Sequence, residues 1–87
     1  MDKSLENYHI KKLFYLCAKR GMKETEFLLR TFAEQEISNL TPAELKDFET
    51  LLHCTDSDIL NWLMGVVPVP KAYDTGVFRK LSMFKKT

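Results

Sequence analysis

Leu40-Thr41-Pro42-Ala43-Glu44-Leu45-Lys46-Asp47-Phe48-Glu49-Thr50-Leu51-Leu52 carries the start signal and the apolar face of a helix in one stretch. Thr41 is placed to cap. Pro42 suits the first helical position, where its missing N–H costs nothing, and Glu44 completes a capping box. Leu45, Phe48, Leu51 and Leu52 then recur at helical spacing, so one side of the segment is apolar.

Toward the C-terminus a further helix starts after Thr55 or Asp56, with Asp58 in its first turn. Ile59, Leu60, Leu63 and Met64 supply its apolar side, and Gly65 ends it. Val66-Val67-Pro68-Val69-Pro70 follows; alternating prolines forbid a helix and favour an extended connection. A last segment from Asp74 or Thr75 to Phe84 carries Val77, Phe78, Leu81 and Phe84, although Gly76 and β-branched neighbours weaken it.

Toward the N-terminus, residues 22–37 form a helix with Glu24 and Glu26 in the first turn, where anions are favoured. Leu28, Phe32 and Glu36 lie on one line, widened by Phe27, Leu29 and Ala33. Residues 5–19 form another, on which Leu5, Tyr8, His9, Lys12, Leu13, Leu16 and Cys17 make a mostly apolar stripe. Gly21 can take the left-handed stop between the two, and so short a loop makes these helices neighbours. No alternating strand pattern and no fixed-period repeat occurs. The expectation is an all-α fold, a compact bundle of four to five short helices formed by residues 1–87 as a single domain. Its core candidates are Phe14, Phe27, Phe32, Phe48, Leu51, Ile59, Leu63 and Phe78. At roughly 1.5–3 kcal/mol per fully buried large side chain, these come near the minimum a chain of 87 residues needs.

An apolar content of 45% argues against disorder, and the net charge of +1 implies no polyanion partner. Its distribution is uneven. Residues 1–23 carry six Lys/Arg against two Asp/Glu, residues 24–58 two against nine, and residues 59–87 five against one. Such asymmetry either steers a charged partner or reflects solvated faces of mixed sign. Two cysteines, Cys17 and Cys54, are too few for a disulfide framework and read as reduced thiols. No run of 18 apolar residues occurs, so no membrane insertion is expected. Residues 1–6 have no apolar segment and include acids, which points to a cytoplasmic protein.

Chemistry is sparse. His9, Cys17, His53 and Cys54 lack the twice-paired spacing of a zinc site, and adjacent helical residues such as His53 and Cys54 point about 100° apart, so no metal is expected. No nucleophile elbow, P-loop or dinucleotide fingerprint is present, and three glycines leave little means to cradle a phosphate. Hence no catalytic residue and no stably bound cofactor are expected. Lys11, Lys12, Lys19, Arg20 and Lys23 cluster, but no base-reading motif accompanies them and the acidic middle opposes phosphates, so no nucleic acid is expected as partner.

Two segments stand out. In Arg20-Gly21-Met22-Lys23-Glu24 a cation and an anion sit on a tight turn, and Gly21 removes a side chain where a partner backbone could approach. Read as structure alone, it is a helix end followed by a favourable N-terminal acid. In Asp56-Ser57-Asp58-Ile59-Leu60-Asn61-Trp62-Leu63, Trp62 is either core or an interface anchor beside acids.

The stretch Cys17-Ala18-Lys19-Arg20-Gly21-Met22-Lys23-Glu24 resembles the R-G-x-x-E signature of the SdhE/YgfY family. Phe32-Ala33-Glu34, the Leu40–Leu45 turn, Phe48-Glu49-Thr50-Leu51-Leu52 and the Asp56–Met64 block resemble the family's later motifs in order, over residues 8–70. Leu16 and Ala18 stand where many relatives carry Arg, and residues from Lys71 on match nothing in the pattern. The resemblance implies a five-helix fold. It also implies an assembly factor, not an enzyme, that binds the flavoprotein subunit of succinate dehydrogenase and promotes covalent attachment of FAD. The fumarate reductase flavoprotein subunit is a second implied client, and FAD belongs to the client. By similarity Arg20, Gly21 and Glu24 are the contact residues, flanked by Lys19, with Asp58 and Trp62 at further family positions, on a chain acting as a monomer. The alternatives are an antitoxin-like or regulatory interaction module and a small basic nucleic-acid binder.

Overall fold

The computed structural model describes the backbone of residues 3–86 and the side chains of residues 7–85. Leu5, expected on the stripe of the first helix, lies outside the described side chains. Five α-helices follow one another: α1 (Lys3–Ala18), α2 (Lys23–Glu36), α3 (Pro42–Leu52), α4 (Asp56–Leu63) and α5 (Gly76–Lys86). Short 3-10 turns at Ile37–Asn39 and Lys71–Tyr73 complete the order, and no strand occurs among the described residues. The all-α bundle expected from the sequence is the fold. Its radius of gyration, 12.4 Å, matches the roughly 12 Å of a compact chain of this length. Among the described residues no helix is long and apolar enough to cross a membrane.

The start of α3 forms as its sequence dictates. Thr41 Oγ1 accepts the N–H of Glu44 at 3.1 Å, and Glu44 Oε1 accepts the N–H of Thr41 at 3.0 Å. Two N–H groups that an isolated helix start would leave unpaired are thereby satisfied. Thr55 caps α4 in the same way, accepting the N–H of Asp58 at 3.1 Å.

Leu13 and Cys17 of α1, Leu29 and Phe32 of α2, Phe48 and Leu51 of α3, Ile59 of α4, and Val77 and Leu81 of α5 share one buried cluster. Phe32 lies between two edge-on rings, Phe48 at 5.6 Å and Phe84 at 5.5 Å between centroids. Helix α5, the weakest by local propensity, therefore forms because burial of Val77, Phe78 and Leu81 outweighs the cost of Gly76.

Three expectations change. Of the core candidates, Phe32, Phe48, Leu51, Ile59 and Phe78 are buried, Phe14 and Leu63 are half-buried, and Phe27 is 64% exposed. The reason is the rotation of α2: Thr25, Leu29, Phe32 and Ala33 face inward, and Phe27, two residues from both Thr25 and Leu29, points the other way. On α1, Tyr8 likewise faces solvent, 70% exposed. Gly21 does not take a left-handed stop; Gly65, at φ 76°, is the one glycine with positive φ among the described residues.

Candidate docking site

Helix α1 ends at Ala18, and the chain turns through Lys19–Met22 into α2. A side chain distant in the sequence, Asp56, holds this turn. Arg20, whose side chain is only 10% exposed, places Nε 3.1 Å from Asp56 Oδ1. Its Nη2 donates to the carbonyl oxygens of Leu52 at 2.8 Å and Cys54 at 3.2 Å. Leu52 is the last residue of α3 and Asp56 the first of α4. The guanidinium thus sits on the negative end of one helix and against the first-turn acid of the next, and its fork shape allows both at once. Asp56 Oδ2 accepts the N–H of Met22 at 2.8 Å. Because Met22 precedes α2 and offers no capping side chain, this bond orients the α2 start in place of a local cap. Arg20 Nη1 and Thr25 Oγ1 are buried without a hydrogen-bond partner among the described residues.

What remains open on this turn is specific. Gly21 and Glu24 are exposed, as are Lys19 and Met22. A Cβ added at Gly21 would meet only Asp56 Oδ2, at 3.9 Å, an ordinary contact. The fold therefore does not require glycine at this position, either by space or by φ. Glu24 forms no ion pair among the described residues, and a carboxylate in the first turn of α2 is favourably placed by the helix dipole.

The α4 block lies beside this turn. Asp58 is exposed. Trp62 is half-buried, with its ring stacked on Tyr73 at 5.1 Å and 20°. The neighbouring Cys54 side chain raises the Tyr73 phenol above its ordinary value. Arg20 and Met22 both bind Asp56, the first residue of the α4 block, which brings the two singled-out sequence segments to one end of the bundle. Sequence reasoning missed Asp56 as the partner of Arg20; of the acids in that block it singled out Asp58, as a contact for a client. It also missed Tyr73. Asp56 stood in the sequence as a helix-start residue and as the head of the Asp56–Met64 block, and neither signal says that its carboxylate reaches back to Arg20. Among the described residues no group of three His, Cys, Asp or Glu side chains could hold a metal ion.

Residues 11–85 match the family profile described as "Flavinator of succinate dehydrogenase". The chain is similar to "Succinate dehydrogenase assembly factor 2, mitochondrial" of Dictyostelium discoideum, 41% identical over 69 residues that make up 79% of this chain and 49% of that protein. The protein of the same name in Mycosarcoma maydis is 42% identical over 69 residues, 79% of this chain and 29% of that one. "Succinate dehydrogenase assembly factor 2-A, mitochondrial" of Drosophila yakuba is 36% identical over 77 residues, 86% of this chain and 48% of that one. The chain spans about half the length of these relatives, or less. Their names overturn the cytoplasmic placement expected from the sequence. That placement rested on the composition of residues 1–6, which carries no compartment signal in a chain spanning so small a share of its relatives. By the match over residues 11–85 and by these identities, the chain belongs to the family of flavinators of succinate dehydrogenase.

Proposed function

We propose that this protein is an assembly factor that binds the flavoprotein subunit of succinate dehydrogenase and promotes covalent attachment of FAD to it. The observation that carries the reading is the Arg20–Glu24 turn, in which Arg20 is spent on an internal clamp while Gly21 and Glu24 stay open. A turn braced from behind and bare in front suits docking: it is already ordered, so little conformational entropy is lost on binding. With no side chain at Gly21, a client backbone can approach closely, and Glu24 offers an acceptor for a client cation or backbone N–H. Lys19 and Asp58 extend the polar rim, and Trp62 supports it through the stack on Tyr73.

The chain works as a binding protein and not as an enzyme. FAD belongs to the client and supplies, with the client's own groups, the redox and bond-forming chemistry. The part of this chain is to favour the client conformation in which the acceptor histidine is held in reactive geometry. It acts as a monomer, in mitochondria as the names of its relatives print. The related fumarate reductase flavoprotein subunit is a second client by the family resemblance. The test is the covalent flavin content of the denatured succinate dehydrogenase flavoprotein subunit in cells with and without this protein. The expected result is a loss of the covalent flavin band in its absence.

A further inference from the structure

Helix α1 buries Leu13 and Cys17 on its inner side, both 0% exposed. On the opposite side Tyr8, Lys11, Lys12, Tyr15 and Leu16 line an open groove of about 420 Å3. Their spacing, i, i+3, i+4, i+7 and i+8, is that of one helical face. Tyr8 is 70% and Tyr15 60% exposed. A helix with its core stripe satisfied and a second, aromatic stripe in water has room for a second partner.

We infer that this outward stripe of α1 is a docking surface for an acidic amphipathic helix of a protein partner. The stripe repeats at the period of a helix, so it offers anchor positions to another helix laid along it. Tyrosine gives large contact area for two rotatable angles and keeps its hydroxyl wet, which suits an intermittently covered surface. The charge is of one sign. None of the lining residues is acidic, and Lys11 and Lys19 form no ion pair among the described residues. The Lys19 ammonium stands over the Tyr15 ring, 5.9 Å from its centroid, and adds to the cationic rim. Lys12 alone is committed, to Glu49 at 2.9 Å. Two other occupants fit less well. A nucleic acid draws its affinity from several cations on phosphates, and with Lys12 committed to Glu49 the stripe offers it Lys11 and Lys19, too few to hold a phosphate backbone without the two tyrosines as anchors. A bilayer needs aliphatic bulk, and the stripe offers only Leu16, itself half-buried. The surface shares only the rim residue Lys19 with the Arg20–Glu24 turn, and its test substitutes Tyr8 and Lys11, so it stands or falls apart from the flavoprotein reading.

The probe is a peptide of Ala, Leu and Glu of about 20 residues, long enough to run the length of α1, with Leu at helical spacing. Its counterpart carries Lys in place of Glu. Amide chemical shifts of the full chain are followed during titration with each. The acidic peptide is expected to shift residues 8–19, and the basic one to leave them unmoved. Tyr8→Ser with Lys11→Glu should weaken binding at least tenfold with unchanged circular dichroism, since both side chains are exposed. Raising salt from about 0.15 M to about 0.5 M should weaken it further. Four results would overturn the proposal: no binding of the acidic peptide, equal binding of the basic one, shifts confined to other elements, or indifference to the double substitution. Shifts of this stripe by phosphatidylserine vesicles or a single-stranded oligonucleotide in place of the acidic peptide would overturn it too.

Discussion

The guanidinium of Arg20 and the carboxylate of Asp56 join the α1–α2 turn to the α3–α4 joint, with Nε 3.1 Å from Oδ1. The second carboxylate oxygen takes the N–H of Met22, and the second arm of the guanidinium takes the end carbonyl of α3. Four helices therefore meet through two side chains, and the proposed docking turn has its shape because of a residue at the start of α4.

Removing either partner leaves the other charged and mostly desolvated. Arg20→Ala and Asp56→Ala should each lower stability by about 3 kcal/mol, a large share of the roughly 4–13 kcal/mol typical of this length. The double variant should cost clearly less than the two losses added together, because both act on one joint. Urea unfolding followed by circular dichroism measures all three. Losses below about 1 kcal/mol, or strict additivity, would contradict the clamp.

Gly21 separates folding from docking. Its φ is not positive and its Cβ space is open, so Gly21→Ala and Gly21→Leu should shift stability by less than about 1 kcal/mol. Gly21→Leu should nevertheless abolish client binding, since its side chain stands on the face proposed for the client's approach. A Gly21→Leu protein that unfolds would place the requirement for glycine in the fold instead.

Glu49 ties α3 to α1 and gives the fold an acid limb. Its carboxylate lies 2.9 Å from Lys12 Nζ, 2.8 Å from His9 Nε2 and 3.8 Å from His53 Nε2. The Lys12 hydrogen bond, then that of His9, holds the Glu49 carboxyl below its ordinary value, against a smaller opposing effect of burial. The folded state thus binds fewer protons there than the unfolded one. The stability it contributes is present above the ordinary carboxylate range and is lost as pH falls through the depressed value. The stability difference between wild type and Glu49→Gln should therefore shrink as pH falls from about 5 to about 3. A difference constant over that window would refute the linkage. The same pair raises Lys12, whose contribution is present below its ordinary value and is lost as pH rises through the raised one.

The two thiols should differ sharply. Burial pushes Cys17 up to about 12, against a smaller lowering by the Arg20 charge, and its Sγ faces the Leu29 carbonyl oxygen at 3.7 Å. Cys54 is half-buried. A disulfide reagent at about pH 8 should titrate one thiol in the folded protein, and none quickly in Cys54→Ser. Because Cys17 has the higher value when folded, its contribution to stability falls as pH rises from the ordinary 9.0 toward about 12. Two rapidly reacting thiols in the native protein would contradict the burial of Cys17.

What could be read from the sequence was local. The Thr41–Glu44 box and the Thr55 cap need only three residues of context, and both form. Gly65 ends the α4 segment with the positive φ that favours glycine. What could not be read depends on partners distant in the chain. Phe27, expected in the core, faces solvent while Thr25 is buried, because tertiary packing, not the apolar count, sets the rotation of α2. The segregation of charge looked like a signal for a partner, yet part of it is spent within the chain, in Arg20–Asp56, Lys12–Glu49 and Lys80–Glu44. The signature turn was found by its residue pattern, but nothing near Arg20 in sequence announces that its side chain turns inward. The Lys71–Tyr73 turn went unread for the same reason: Tyr73 is held by Trp62, eleven positions earlier.

The central claim is tested most directly by in-gel flavin fluorescence of the denatured succinate dehydrogenase flavoprotein subunit, from cells lacking this protein and supplied with wild type, Glu24→Ala or Gly21→Leu. Arg20→Ala is unsuited, because it removes the clamp along with any contact. The account predicts that wild type restores the covalent flavin band, and that both variants accumulate as folded protein without restoring it. A full band with either folded variant would contradict docking through the Arg20–Glu24 turn, and a full band without the protein would contradict the assembly role itself.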